Sequence, residues 1–326
     1  MTDPPDADPP LAAAAGAPLE PSFPDVALAP PPDASAEPEG FVVLADGDVR
    51  LHFLDWGGPA GAGPVLLIPG LLQPAWTWAP VARRLCGVRR TVVADLRGHG
   101  LSDAPMDGYD LGSLAADAIA VAEGSGLLDA GPPVVAGHGF GAIVAAVAGA
   151  RLGAGCSGLV LVDGGFERLE TTTGLEVDEF LRGLEEPPEV LRSMDAFLGD
   201  RRGFDPATWD GDQERAARDS VVETGAGRVV RAVRPHVVEA AVRTMFGYEP
   251  ATALAAVEAP VVALVALGAG DPAATAARLS ELRRATVARV AAGGAAVRVA
   301  GFPTAGHNLM RYRPADVTAA ILAPSG

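Results

Sequence analysis

Val134-Val135-Ala136-Gly137-His138-Gly139-Phe140-Gly141-Ala142-Ile143 carries the strongest fold signal in the chain. An apolar run over 133–136 has the composition of a buried strand. The glycine-spaced turn 137–141 follows, and the small-residue segment 142–152 continues as a helix. A strand that passes into a helix through alternate glycines makes a very sharp bend, because no Cβ obstructs the approach of neighbouring backbone.

Outward from this turn the chain alternates between two periods. Residues 41–44 and 49–54 are β-like and flank the hairpin signal Asp46-Gly47-Asp48. Residues 65–68 (VLLI) are apolar on both faces, as a central parallel strand requires, and end in Pro69-Gly70. A helix over 78–86, a strand over 91–94 and an amphipathic helix over 111–123 follow, the last with Leu111, Leu114, Ala118, Ile119 and Ala122 at helical spacing. Beyond the glycine turn come strands at 159–162, 260–267 and 296–300, and helices at about 272–292 and 314–322. The rhythm predicts an α/β fold, a doubly wound and mostly parallel sheet with crossover helices. It stops between 166 and 250, where the chain is charged, mostly helical and carries Pro187-Pro188; this stretch reads as an inserted cap or lid. The expected organisation is a Pro/Ala-rich disordered segment over 1–39, a core of 40–165 and 251–326, and the cap over 166–250. No internal repeat is visible.

Composition narrows the partners. The net charge is −16 and every basic residue is arginine. An acidic chain is repelled by nucleic acid and by anionic membranes, so neither is expected as a partner. The N-terminal segment has no basic region followed by an apolar core, and no uninterrupted apolar run reaches membrane-spanning length. Cys86 and Cys156 have no metal-ligand spacing and read as buried thiols in a reducing, cytoplasmic setting. No metal or cofactor is expected.

Gly137-His138-Gly139-Phe140-Gly141 resembles the nucleophile elbow G-x-S-x-G of the α/β-hydrolase family, and the resemblance extends over about 41–323. Further segments match in the right order. Ile68-Pro69-Gly70-Leu71 resembles the oxyanion loop, and Asp95-Leu96-Arg97-Gly98-His99-Gly100-Leu101-Ser102 the family's D-x-R-G-H-G-x-S run. Leu161-Val162-Asp163 fits the end of strand six, and Gly268-Ala269-Gly270-Asp271-Pro272 the acid turn after strand seven. Gly306-His307-Asn308 fits the histidine loop. The resemblance implies hydrolysis of small apolar esters or related acyl compounds without a cofactor. His307 is then the general base, oriented by Asp271, with Asp163 the alternative acid. The N–H groups of Leu71 and Phe140 form the oxyanion hole. Gly70, Leu71, Leu72, Trp76, Phe140 and Phe166 are expected around a largely apolar pocket.

The departure lies at Gly139, which stands where the family carries serine. Loss of that nucleophile in a Ser-His-Asp system costs about 10⁶ in kcat and leaves roughly 10³–10⁴ over water. Two functions follow: a hydrolase-like enzyme working with a non-standard site through His307, or a pseudoenzyme that binds a ligand or partner without turnover. Gly137-x-Gly139-x-x-Ala142, with Asp163 after the next strand, also matches a dinucleotide fingerprint locally. That reading leaves the segments at 68–71, 95–103, 268–271 and 306–308 unexplained, and three strands precede the turn where the fingerprint normally opens its domain. His52, His99, His138 and His236 are read as structural.

Overall fold

A computed structural model describes residues 29–59, 63–268 and 271–323. A hairpin opens the described chain. Strands β1 (Glu39–Ala45) and β2 (Val49–Asp55) pair antiparallel around the turn, where Gly47 and Asp48 take φ of 77° and 60°. Then come β3 (Val65–Ile68), α1 (Ala79–Leu85), β4 (Thr91–Ala94), α2 (Leu111–Gly124), β5 (Val134–His138), α3 (Phe140–Leu152) and β6 (Gly158–Val162). The insertion carries α4 (Leu169–Thr173), α5 (Val177–Gly183), α6 (Met194–Phe204), α7 (Gly211–Asp219), the hairpin β7 (Val221–Glu223) with β8 (Val229–Arg231), and α8 (Pro235–Phe246). The small α9 (Pro250–Ala255) leads back to β9 (Val261–Ala266), α10 (Pro272–Ala291), β10 (Arg298–Phe302), α11 (Leu309–Tyr312) and α12 (Pro314–Leu322).

The main sheet has 8 strands in the order β1-β2-β4-β3-β5-β6-β9-β10, parallel from β4 onward. Alternating side chains of the parallel strands feed two cores. Leu66, Ile68, Val135, Leu159, Leu161 and Val261 pack with α2 and α3 on one face. Val65, Leu67, Ala136, Val160, Val262 and Leu264 pack with α1 and α12 on the other. Burial on both faces explains the uninterrupted apolar runs of these strands. The chain leaves β3 toward β4 on one side and leaves β5 toward β6 on the other. The carboxyl ends of β3 and β5 therefore flank the switch point where doubly wound sheets place their ligands.

The insertion is mostly helical, and Val221 and Val229 of its hairpin join Phe197 and Leu198 in a small core of their own. The structure departs from the sequence reading at the N-terminal segment. Part of the stretch read as disordered is ordered: Asp33 N–H donates to the Arg83 carbonyl at 2.9 Å, and Arg84 donates to the Pro30 carbonyl at 2.9 Å. Arg83 further donates to the Ala36 carbonyl and pairs with Glu37 at 2.9 Å. Polar anchoring to α1 takes the place of an apolar core, which explains why hydropathy did not find it. Residues 1–28 of that stretch lie outside the described residues.

Candidate active site

The bend at the end of β5 is built by close backbone approach. A Cβ at Gly137 would lie 2.1 Å from the Gly141 carbonyl oxygen, and one at Gly141 would lie 2.3 Å from that of Pro69. Both positions therefore require glycine. Gly139 itself takes φ 52° and ψ −116°, a conformation that L side chains rarely adopt. The chain thus turns sharply from β5 into α3 at Gly139, an elbow with no side chain of its own. A Cβ at Gly139 would point at His307, 3.3 Å from Nε2 and 3.5 Å from Cε1.

His307 stands on the loop between β10 and α11. Its Nδ1 lies 2.6 Å from Oδ2 of Asp163, and its side chain is 63% exposed against 2% for Asp163. With Nδ1 turned to the Asp163 carboxylate, Nε2 is the ring nitrogen left facing Gly139. Asp163, immediately after β6, is held at φ 49°, and its Oδ1 accepts from the Ala266 N–H and from Arg278, each at 2.8 Å. Burial opposes its charge, but the hydrogen bond from His307 and the Arg278 guanidinium outweigh burial and hold its carboxyl below the usual range. Arg278 also reaches Glu167 at 2.5 Å. For Glu167 the balance is reversed, and burial pushes its carboxyl up despite Arg278.

Asp271 is not the partner of His307. It is exposed and caps α10, its carboxylate accepting from the Ala273 N–H at 2.9 Å, with Pro272 in the first turn. Asp followed by Pro is a helix-start signal, and here that role accounts for the whole Gly-Ala-Gly-Asp-Pro match. Ala269 and Gly270 of that turn lie outside the described residues. The engagement of Asp163 with His307, Arg278 and Ala266 also leaves no role for it as the ribose acceptor of a dinucleotide site.

Two further contacts fix the loop. His138 Nε2 lies 3.0 Å from the His307 carbonyl oxygen, and the two rings stand 4.4 Å apart at 45°. Its Nδ1 lies 3.0 Å from Oε1 of Gln73, which accepts the Gly70 N–H at 3.0 Å. Burial, reinforced by the nearby His307, pushes the His138 pKa down to about 3, so its ring is neutral at physiological pH. His138 is thus a packing and positioning group that joins the loop after β3 to the loop before α11, a role its motif does not reveal. His52 pairs with Asp95 at 2.7 Å, His236 meets the Pro105 carbonyl at 3.0 Å, and His99 is fully buried with a lowered pKa. These three are structural, as read.

A cavity of about 370 Å³ lies over the elbow. Gly70, Leu71, Gly139, Phe140 and His307 line it, as do Phe180, Leu184 and Met245 of the insertion. Among the described residues neither the Leu71 nor the Phe140 backbone N–H donates to a protein acceptor, and Phe140 opens α3, where such groups are unpaired. Trp76 and Phe166, expected at the pocket, are elsewhere. Trp76 packs on Trp56 with ring centroids 5.5 Å apart and lies beneath Arg215 at 3.6 Å, while Phe166 is buried in the core on the α3 side of the sheet. Aromatic character alone does not distinguish a lining residue from a packed one. Glu167, Arg278 and Gln73 escaped the sequence reading because they carry no motif; Arg278 lies two turns into α10.

Known proteins place this architecture. Residues 65–321 match the model of the alpha/beta hydrolase family. N-formylmaleamate deformylase of Pseudomonas putida is 41% identical over 122 residues, 37% of this chain and 43% of that protein. Mouse epoxide hydrolase 4 is 31% identical over 130 residues, 38% of this chain and 35% of that protein. The matched region thus spans less than half the length of these curated relatives. Among solved structures, E-2-(acetamidomethylene)succinate hydrolase superposes with a TM-score of 0.67 at 21% identity, covering 87% of this chain and 98% of that one. On the family match, which extends from β3 to α12, the chain belongs to the alpha/beta hydrolase family.

Proposed function

We propose that this protein is a hydrolase of small acyl compounds that uses water directly, with Gly139 in the place of a serine nucleophile. The observation that carries this reading is the aim of His307: Nε2 faces the Cβ position of Gly139 at 3.3 Å while Nδ1 is held by Asp163 at 2.6 Å. A base and its orienting acid remain in register with an elbow that presents no nucleophile. Family membership and relatives with hydrolase names support hydrolysis as the chemistry.

In the proposed reaction the acyl group lies in the cavity with its carbonyl oxygen toward the N–H groups of Leu71 and Phe140. A water above Gly139 gives a proton to His307 Nε2 as its oxygen bonds to the carbonyl carbon. The carbonyl π pair becomes the oxyanion, stabilised by the two N–H groups. Asp163 stabilises the imidazolium. Collapse re-forms the carbonyl and breaks the bond to the leaving group, which takes the proton from His307. The cap segments at Phe180, Leu184 and Met245 close the apolar side of the cavity. In a site without its serine, binding and the oxyanion hole alone leave about 10³–10⁴ over water, and general-base action of His307 multiplies that by about 10²–10⁴, still short of a serine enzyme.

The test is turnover of short p-nitrophenyl esters in the presence of a fluorophosphonate, followed by intact-mass measurement. Direct water attack predicts activity that survives the reagent and a chain without a covalent adduct. Inhibition with an adduct overturns it by revealing another nucleophile. Ligand binding without turnover, equal in wild type and His307→Ala, establishes a binding role instead.

A further inference from the structure

A second cavity, of about 300 Å³, lies between the insertion and the core loops that carry Leu72, Gln73 and Asn308. Leu72 and Gln73 line both cavities and form the wall between them. The histidine loop is shared out in the same way, His307 facing the first cavity and Asn308 the second. Leu72 is held at φ 65°, a costly conformation for a residue with a Cβ, so the wall is a strained element.

The charge of this second cavity runs against that of the chain. Three guanidiniums, Arg201, Arg231 and Arg311, line it together with one carboxylate, Glu186. Glu186 is shared, accepting from Arg201 and lying 3.5 Å from Arg231. Asp200 adds a weaker contact, 3.8 Å from Arg201 Nε. Arg311 bonds only neutral acceptors among the described residues: Nε donates to Thr208 Oγ1 at 2.7 Å and Nη2 to the Asp205 carbonyl at 2.8 Å. In a protein of net charge −16, such a concavity concentrates anions that the remaining surface repels. Phe197 and Trp209 supply aromatic faces beneath Arg201 and Arg311, at 4.9 and 6.0 Å.

The donors favour a carboxylate over a phosphate. Phosphate sites are typically cradles of backbone N–H groups at a helix N-terminus. The N-terminus of α7, whose Gln213 lines the cavity, is closed by Asp210, which accepts the Gln213 N–H at 2.9 Å. What remains is guanidinium forks with aromatic walls, which fit a planar carboxylate on a small apolar body.

We propose that the insertion cavity is a carboxylate subsite, holding the acid end of a substrate whose acyl bond lies across the Leu72–Gln73 wall, over Gly139. The carboxylate site stands by itself; its link to a scissile bond rests on the hydrolase reading above. Isothermal titration with phenylacetate, phenylacetamide and inorganic phosphate, on wild type, Arg311→Gln, Arg311→Lys and Arg231→Gln, tests it. Expected are phenylacetate binding at least tenfold tighter than phenylacetamide, a loss of tenfold or more in both glutamine variants, and partial retention in Arg311→Lys. No binding by the wild type, tighter binding of phosphate than of phenylacetate, or unchanged binding in both glutamine variants with native melting temperatures overturns the subsite. The expected binding with no turnover of any ester keeps the subsite and removes only the hydrolase reading.

Discussion

Gly139→Ser is the perturbation whose outcome the geometry specifies most closely. A serine Cβ would stand 3.3 Å from His307 Nε2. With a C–O bond of about 1.4 Å and a C–O···N angle near about 100°, that places Oγ about 2.8 Å from Nε2, an ordinary hydrogen-bond length. The other near atom is Cε1 of the same ring, at 3.5 Å, so no backbone has to move. The variant then has nucleophile, base, orienting acid and two N–H donors in register. The backbone conformation opposes the change, because a side chain at φ 52° costs about 1–3 kcal/mol. For a domain of this size that lowers the melting temperature by on the order of 5 °C. The gain is the covalent route, worth up to about 10⁶ in kcat, or about 8 kcal/mol of transition-state stabilisation. Stopped-flow hydrolysis of p-nitrophenyl butyrate should show a burst stoichiometric with enzyme, intact mass should show the butyryl adduct, and both should vanish in Gly139→Ser/His307→Ala. A folded Gly139→Ser protein with neither burst nor adduct would refute this account of the elbow.

Other substitutions separate the two candidate acids and the buried network. In the Gly139→Ser background, Asp163→Asn should lower kcat by about 10⁴, whereas Asp271→Asn should leave kcat unchanged, since asparagine caps a helix about as well as aspartate. Arg278→Met leaves Asp163 and Glu167 without their shared cation and should cost about 3–5 kcal/mol at pH 7 by urea unfolding. That deficit should shrink as pH falls and Glu167, with its raised pKa, takes up a proton. His138 has a folded pKa of about 3 against about 6.5 unfolded, so the unfolded chain binds the extra proton between those values. Its contribution is fully present above pH ~6.5 and is lost as pH falls toward ~3, a decline of a few kcal/mol that buried His99 reinforces. Urea midpoints measured across that range should fall monotonically, and His138→Gln should flatten the slope.

Much of the fold is legible because burial on both sheet faces imposes apolar runs with no other explanation. VLLI at 65–68 and TVVA at 91–94 are strands of those residues. The glycines at 137 and 141 are legible for a related reason, since their contacts exclude a Cβ. The acid partner was harder. Asp163 and Asp271 each follow a strand at the same edge of the sheet, and only the direction of the chain after each decides between them. At Asp271 the following proline starts a helix that takes the carboxylate as its cap. At Asp163 a left-handed residue turns the carboxylate toward His307. Arg278 and Glu167 were illegible because their pairing spans 111 residues and neither position is set by a local pattern. The insertion resisted for a different reason: its small cores at Phe197–Val229 and Val233–Val242 are too short-ranged to impose a long period on the sequence.

Hydrolysis driven by His307 without a serine makes the rate depend on that imidazole. Steady-state turnover of p-nitrophenyl butyrate by wild type and His307→Ala, each checked for an unchanged melting temperature, tests it most directly. Slow wild-type turnover is expected, falling by about 10²–10⁴ in His307→Ala, the range for a general base. Equal rates in the two proteins, or a wild type no faster than buffer, would contradict it.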